Sequence, residues 1–350
     1  MSFLEETVMA RVDPSTGASL PRVSVSMITY NHERYIAQAI DSVLAQKVDF
    51  DYEVVIGEDC STDRTRSIVE SYARQHPDKI RLVLSETNIG GNRNGLRTYS
   101  ACRGEYTAFL EGDDYWTSPH KLQRQVDFLE QNPKFAICGH WVMNVDEVGN
   151  PAPRQSWTGE KCPEVFGLEQ ALGGTPLHPG SWVFRSRSLQ SIPQNRLDMV
   201  ARIPAGDDPL LLLLLTHGQG YCFRETMGAY RLHSGGRWSA LSELFKSQSM
   251  LQYKYSLPQL LSGTSIGAAS QLVARQIRGG EDRVARAIAW SLDPAAVLES
   301  FRAMRSNGLV PGRRIPAILV RVPLHVTARL VRYPRALAGR ALRGLGLRRV

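Results

Sequence analysis

From Val23 to Met143, short apolar runs alternate with segments whose apolar residues recur at helical period, and this alternation restricts the fold more than any other feature. The runs Val23–Thr29, Glu53–Gly57, Arg81–Leu84, Tyr106–Leu110 and Phe135–Met143 read as strands. Between them, Arg34–Gln46 carries Ile36, Ile40, Val43 and Leu44 on one helical face, and a second helix after Ser61-Thr62-Asp63 carries Ile68, Val69 and Tyr72. A third helix ends at Arg103-Gly104. A fourth opens at Ser118-Pro119, with Leu122, Val126 and Leu129 inward, and closes at Asn132-Pro133. Parallel neighbours need a crossover long enough to hold a helix, so the pattern predicts an α/β fold with a mostly parallel twisted sheet and helices on both faces. Ligands of such sheets bind outside the carboxyl ends of the strands. Polar residues gather at three of those ends: Thr29–Glu33, Glu58–Asp63 and Glu111–Asp114.

Beyond Met143 the pattern is mixed, with strands expected at Ser181–Arg185, Tyr221–Arg224 and Met227–Leu232 and a buried helix from Asp208 to His217. After Leu241 it is helical. The reading divides the chain into a loose arm (1–20), an α/β domain (21–239), a helical extension (240–312) and a basic tail (313–350). The arm lacks the apolar stretch of a secretory signal, and no run approaches the ~18 apolar residues of a membrane span. Five widely spaced cysteines, with no Cys-x-x-Cys pair, argue for reduced thiols and against a zinc site.

Phe109-Leu110-Glu111-Gly112-Asp113-Asp114-Tyr115-Trp116 carries the strongest chemical signal. Three carboxylates within four residues repel one another, and a hard divalent cation relieves that repulsion while leaving positions for phosphate oxygens. A solvated acidic turn is the plainer alternative for this octapeptide taken alone. Other stretches shift the balance: Val25-Ser26-Met27-Ile28-Thr29-Tyr30-Asn31 followed by Tyr35-Ile36, Ile56-Gly57-Glu58-Asp59-Cys60-Ser61-Thr62-Asp63, and Asn88-Ile89-Gly90-Gly91 with Asn94. In this order, over Val23 to Ser239, they resemble the family 2 glycosyltransferases, whose fold is of the GT-A type.

The resemblance implies transfer of a sugar from a nucleoside-diphosphate donor, UDP being the commonest choice, to an acceptor hydroxyl with inversion. It implies Mn²⁺ or Mg²⁺ at Asp113, with Glu111 standing where the family usually has Asp and reaching the ion directly or through water, and with Asp114 beside them. It implies a donor pocket of Thr29, Tyr30, Glu33, Asp59, Asn94 and Gly112. Asp63 reads as a helix cap. The segment Tyr230-Arg231-Leu232-His233-Ser234 is similar to one found near the diphosphate, which implies His233 at the metal or a phosphate and Arg231 on phosphate charge. His178 is expected on the acceptor side. Pro204-Ala205-Gly206-Asp207-Asp208-Pro209 stands where the family carries its general base; Asp207 is assigned that role and Asp208 the helix cap, with the reverse left open.

Residues 300–350 hold twelve Arg and no Asp, Glu or Lys, so a chain of net charge +8 has a body of −4. Arg interleaved with Leu, Ile and Val predicts a basic amphipathic helix worth ~1 kcal/mol per Arg at an anionic membrane. Tyr333 is the sole aromatic of 313–350, which disfavours nucleic acid. The expectation is a cytoplasmic enzyme, peripheral on the inner face of the membrane, acting on a glycan or lipid-linked acceptor in envelope polysaccharide or glycolipid synthesis. An inactive sugar-nucleotide-binding or membrane scaffold is the alternative that Glu111 motivates. A dinucleotide enzyme or pyrophosphorylase is disfavoured because Thr29–Glu33 contains no glycine.

Overall fold

The computed structural model describes residues 19–152, 157, 163–174, 176–203, 207–236, 242–264 and 270–290. Two compact units result: Met1–Gly167 with Pro176–Ile192 and His217–Leu232, and Leu168–Thr175 with Pro193–Thr216 and His233–Val350. The 21–239 domain expected from sequence is therefore divided, because the helices after Gly167 and Ile192 group with the second unit. The basic tail lies outside the described residues, as does nearly all of the N-terminal arm.

The first unit is built on strands β1 (Val23–Thr29), β2 (Tyr52–Glu58), β3 (Ile80–Leu84), β4 (Tyr106–Glu111), β5 (Tyr115–Trp116), β6 (Phe135–Val145), β7 (Val165–Phe166), β8 (Val183–Arg185) and β9 (Gln219–Arg231). They form one sheet ordered β3-β2-β1-β4-β8-β6-β9-β5, with β7 on β9. The half β3-β2-β1-β4 is parallel, as expected. Beyond β4 the sheet is mixed: β8 is antiparallel to both β4 and β6, β9 is parallel to β6, and β5 and β7 run antiparallel to β9.

Helices α1 (Ile36–Leu44), α2 (Thr65–Gln75), α3 (Gly91–Ala101) and α4 (Lys121–Gln131) supply the crossovers, and the short α6 (Ser186–Gln190) follows β8. β2 is buried at every position; its apolar centre Val54-Val55-Ile56 anticipates a strand covered on both faces, while Glu53 and Glu58 are buried with it. α1 buries Ile36, Ala39, Ile40 and Val43, and α4 buries Leu122, Val126 and Leu129. α3 packs so closely on β2 that a Cβ at Gly57 would lie 1.9 Å from Thr98 Oγ1. Register then sets the functional edge: Thr29 stands opposite Glu58, and Ile28 opposite Glu111, so three strands end level.

Some expectations are corrected. α4 begins at Lys121, after the Ser118-Pro119 turn, and β5 was not legible as a strand. The Ser181–Arg185 strand is a 3₁₀ turn (Pro179–Ser181) followed by β8. The two strands expected within 221–232 are one, β9, whose pairing with β6 shifts register beside His140 and Trp141. A shift of that kind interrupts the alternation that periodicity reads.

The second unit contains α5 (Leu168–Leu172), α7 (Gln194–Arg202), α8 (Asp207–Leu215), α9 (Glu243–Leu260) and α10 (Ser270–Trp290). Leu210–Leu215 are all buried in α8. Ser242 caps α9 by accepting the Phe245 N–H at 3.3 Å, and Tyr255 of α9 donates to buried Glu281 of α10 at 2.5 Å.

Candidate active site at the carboxyl edge of the sheet

The turn after β4 brings the acidic motif against the end of β1. Gly112 N–H donates to Ile28 O at 2.9 Å, and a Cβ at Gly112 would meet Thr29 Oγ1 at 2.7 Å and Ile36 Cδ1 at 2.9 Å. Glycine is therefore required for contact, and its expected nucleotide role has a structural one beside it. The chain then splits its two aspartates. Asp113 keeps a side chain 15% exposed, with Oδ2 3.5 Å from His32 Nε2. Asp114 turns inward and is buried.

Asp114 Oδ1 accepts the Arg231 N–H at 2.8 Å. Its Oδ2 is buried without a hydrogen-bond partner among the described residues and lies 4.0 Å from His178 Nε2. Burial first, and the Asp113 charge second, hold the Asp114 carboxyl well above the usual aspartate range, partly opposed by Arg231. Glu111, Asp114 and His178 bring one ligand atom each to within 4.8 Å of one another. His178, expected on the acceptor side, is thus part of the acidic cluster.

The turn carrying His178 is held from the motif's own end. Trp116 Nε1–H donates to Gly180 O at 2.8 Å and Gln125 Nε2 donates to Ser181 O at 3.0 Å. Gly180 N–H in turn donates to His178 Nδ1 at 3.2 Å. Burial pushes His178 down to about 4, so the ring is neutral at pH 7. A neutral imidazole that accepts at Nδ1 carries its proton on Nε2. His178 therefore faces the carboxylates as a donor.

Carboxylate oxygens are the donors a hard divalent cation takes, and the orphaned Asp114 oxygen shows a cluster short of positive charge. The residues fit such an ion. Asp113 and Glu111 are the two motif carboxylates with access to solvent, whereas Asp114 and the protonated Nε2 of His178 lie behind them.

Arg231, expected on phosphate, is buried and committed elsewhere. Nε donates to Asp113 O at 3.0 Å, Nη1 to Glu147 O at 2.9 Å and Nη2 to Gln38 Oε1 at 2.6 Å. Its guanidinium lies over the Tyr35 and Tyr115 rings at 4.8 and 5.3 Å. It braces the backbone of the acidic turn from below.

The other expected donor-pocket residues are engaged with one another. Asp59 is buried and accepts Ile89 N–H and Gly90 N–H, each at 2.9 Å, fastening the loop after β3. Asn94 is buried, donating to Gly57 O at 2.7 Å and accepting from Arg97 at 2.7 Å. Glu33 Oε2 accepts from Arg64 N and Nε at 3.1 Å, which draws its carboxyl below the usual range. Asp63 accepts from Thr65 N at 2.9 Å and from Glu33 N at 3.0 Å; the N-cap position of α2 is Arg64, so Asp63, expected as the cap, stands one residue before it. Thr29 is buried, with Oγ1 3.2 Å from His32 Nδ1. Tyr30 is 39% exposed, open at the lip of the edge. Sequence reasoning missed His32 altogether; its place three residues after Thr29, in the turn opening α1, was the available signal.

Asp207, Asp208 and His233 belong to the second unit. Asp207 is exposed at the first position of α8, and Asp208 is partly buried. Burial, then the neighbouring Asp207 charge, pushes Asp208 up to about 7 against the opposing effect of Lys254. His233 O accepts the Gly236 N–H at 3.1 Å.

The sequence model of glycosyl transferase family 2 matches residues 24–192, the stretch that builds β1 to β8 and the acidic turn. This part of the chain belongs to glycosyltransferase family 2. Curated relatives agree. An uncharacterized protein of Mycobacterium tuberculosis is 36% identical over 220 residues, 62% of this chain and 60% of that protein. EpsE of Bacillus subtilis, named as a candidate glycosyltransferase, is 36% identical over 49% of this chain and 59% of its own length. The chain thus matches about 60% of the length of the first of these relatives.

Among solved structures, Staphylococcus aureus TarS 1–349 aligns with a TM-score of 0.59 at 18% identity over 92% of both chains. A mannosyltransferase of Pyrobaculum calidifontis, solved with GDP-Man and Mn²⁺, aligns at 0.55 and 18% identity over 93% of this chain and 90% of its own. The family 2 domain shares its GT-A fold with both.

Proposed function

We propose that the protein transfers a sugar from a nucleoside-diphosphate donor to an acceptor hydroxyl with inversion, in the synthesis of an envelope polysaccharide or glycolipid. The observation that carries this reading is the β4 turn, where Glu111 and Asp114 converge with His178 beside Asp113, and where a buried Asp114 oxygen has no hydrogen-bond partner among the described residues. Two further points support it. TarS has been solved with UDP-GlcNAc, and a Bacillus subtilis relative 35% identical over 156 residues is named as a candidate glycosyltransferase of teichuronic acid synthesis.

A divalent cation, when held by Asp113 and Glu111, would stabilise negative charge on the departing diphosphate by several kcal/mol. The protein's own groups do the rest. Arg231 fixes the peptide of Asp113, and Asp114 anchors the turn through the Arg231 N–H. The base is assigned to Asp208, since a carboxyl near 7 is matched to taking a proton at neutral pH. As the acceptor oxygen bonds to the anomeric carbon, the bond from that carbon to the diphosphate oxygen breaks. The hydroxyl proton passes to Asp208.

For the basic segment at 313–350, anchoring to an anionic membrane surface remains the proposed use. Among the described residues no helix is long and apolar enough to cross a membrane.

The test is a panel of UDP- and GDP-sugars, each with and without Mn²⁺, scored by thermal shift and by release of the nucleoside diphosphate. Mn²⁺-dependent stabilisation and turnover by one donor is expected. Binding without turnover would favour a sugar-nucleotide-binding scaffold, and no response to any donor would refute the assignment.

A further inference from the structure

His32 links the end of β1 to the acidic turn in a way the roles above leave unused. Its main chain is fixed on both sides. The N–H donates to Thr65 Oγ1 at 2.8 Å, and the carbonyl accepts Tyr35 N–H and Ile36 N–H at 2.9 Å. Asn31 just before it takes φ 55° and is itself held, accepting the Thr62 N–H at 2.8 Å and donating its own N–H to Ser61 Oγ at 3.0 Å. A ring on so constrained a backbone has little freedom. One nitrogen meets Thr29 Oγ1 at 3.2 Å and the other meets Asp113 Oδ2 at 3.5 Å, with both the His32 and Asp113 side chains only about one-sixth exposed.

A threonine hydroxyl can donate to Nδ1, which leaves the proton on Nε2, facing the carboxylate. Thr29 cannot drift from this arrangement, because it is buried and Gly112 packs directly on it.

We propose that His32 is a positioning residue for Asp113: the Thr29–His32 pair holds the Asp113 carboxylate in the orientation in which its remaining oxygen takes a divalent cation. This rests on the glycosyltransferase reading only in requiring a cation at Asp113. Partners of this kind, one shell behind a ligand, typically change metal affinity 10–100-fold when removed.

The experiment measures Mn²⁺ affinity directly, by electron paramagnetic resonance of free Mn²⁺ for the metal alone and by calorimetry with UDP present. H32A is expected to weaken Mn²⁺ binding about 10–100-fold. T29V, which keeps the volume and removes the hydroxyl, should weaken it less, and H32Q should recover part of the loss, since its amide N–H can replace Nε2–H. Thermal unfolding in EDTA should be the same for all four proteins, which separates positioning from folding; should H32A not fold, T29V and H32Q decide alone. Unchanged or tighter Mn²⁺ binding in H32A, or H32Q no better than H32A, overturns the role of His32 and leaves the sugar-transfer reading standing. A wild-type protein that binds no Mn²⁺ in either arm overturns both.

Discussion

The ends of β1 and β2 and the end of β4 look alike in sequence, each a polar, acidic stretch after an apolar strand, yet their carboxylates meet different fates. At the first pair of ends every acidic group found a partner nearby. Glu58 accepts the Ser61 N–H and pairs with Arg66, each at 2.6 Å; Asp59 takes two backbone N–H groups; Glu33 and Asp63 tie the two turns together. At the β4 end Asp113 faces the His32 imidazole, Asp114 takes the Arg231 N–H, and the second oxygen of Asp114 is buried with no hydrogen-bond partner among the described residues. Acidity alone does not mark a site. A deficit of partners does, because an unpaired buried polar group is unstable unless something else binds it.

This contrast is open to attack from both sides, and the sharpest attack is on Asp113. Asp113→Ala should lower transfer by about 10³-fold while leaving the melting temperature within a few degrees, since the side chain stands at the partly exposed edge of the sheet, 3.5 Å from His32 Nε2, and not in the apolar core. A large loss of stability instead would make the β4 end structural, like its neighbours.

Next in size is the base. Asp208→Asn should cost at least ~10²-fold in rate. In the wild type kcat/KM should fall as pH drops through about 7, because the base must be deprotonated and Asp208 is held near that value. A profile flat to pH 5 would move the role elsewhere.

Asp59→Ala tests the opposite prediction, for a carboxylate assigned to structure. Removing it strands the Ile89 and Gly90 N–H groups, at a cost of about 2–4 kcal/mol measured by urea unfolding. Unaltered stability with lost UDP binding would return Asp59 to the donor pocket.

The smallest effect is expected for Asp114→Asn, a near-isostere of the protonated acid, which should change stability by less than ~1 kcal/mol at pH 5. The folded wild type holds a proton that the unfolded chain gives up, so its stability should decline as pH rises above the ordinary aspartate range. The asparagine variant, with nothing to titrate, should lack that decline.

Much of this was legible in the residues. Strand runs such as Val23–Thr29 and Tyr106–Leu110 and the inward faces of α1 and α4 follow directly from period, and the acidic turn stood out by charge density. β9 was misread as two strands because its register shifts break the alternation. The polar residues were harder. Asp59, Asn94 and Arg231 have the chemistry of ligands, and most of the bonds they make run to backbone groups remote in sequence: Asp59 is 30 residues from Ile89, and Arg231 is 118 from Asp113.

The order of residues by itself determined the α/β class, the parallel half of the sheet and the edge where polar groups would collect, since apolar period and crossover length are local properties. Only the folded chain decided which of those groups were already satisfied, and it added His32 and set His178, expected on the acceptor side, in the acidic cluster. Burial and partnership are set by segments far apart along the chain, and an unmet hydrogen bond exists only once the partners that could have met it are in place.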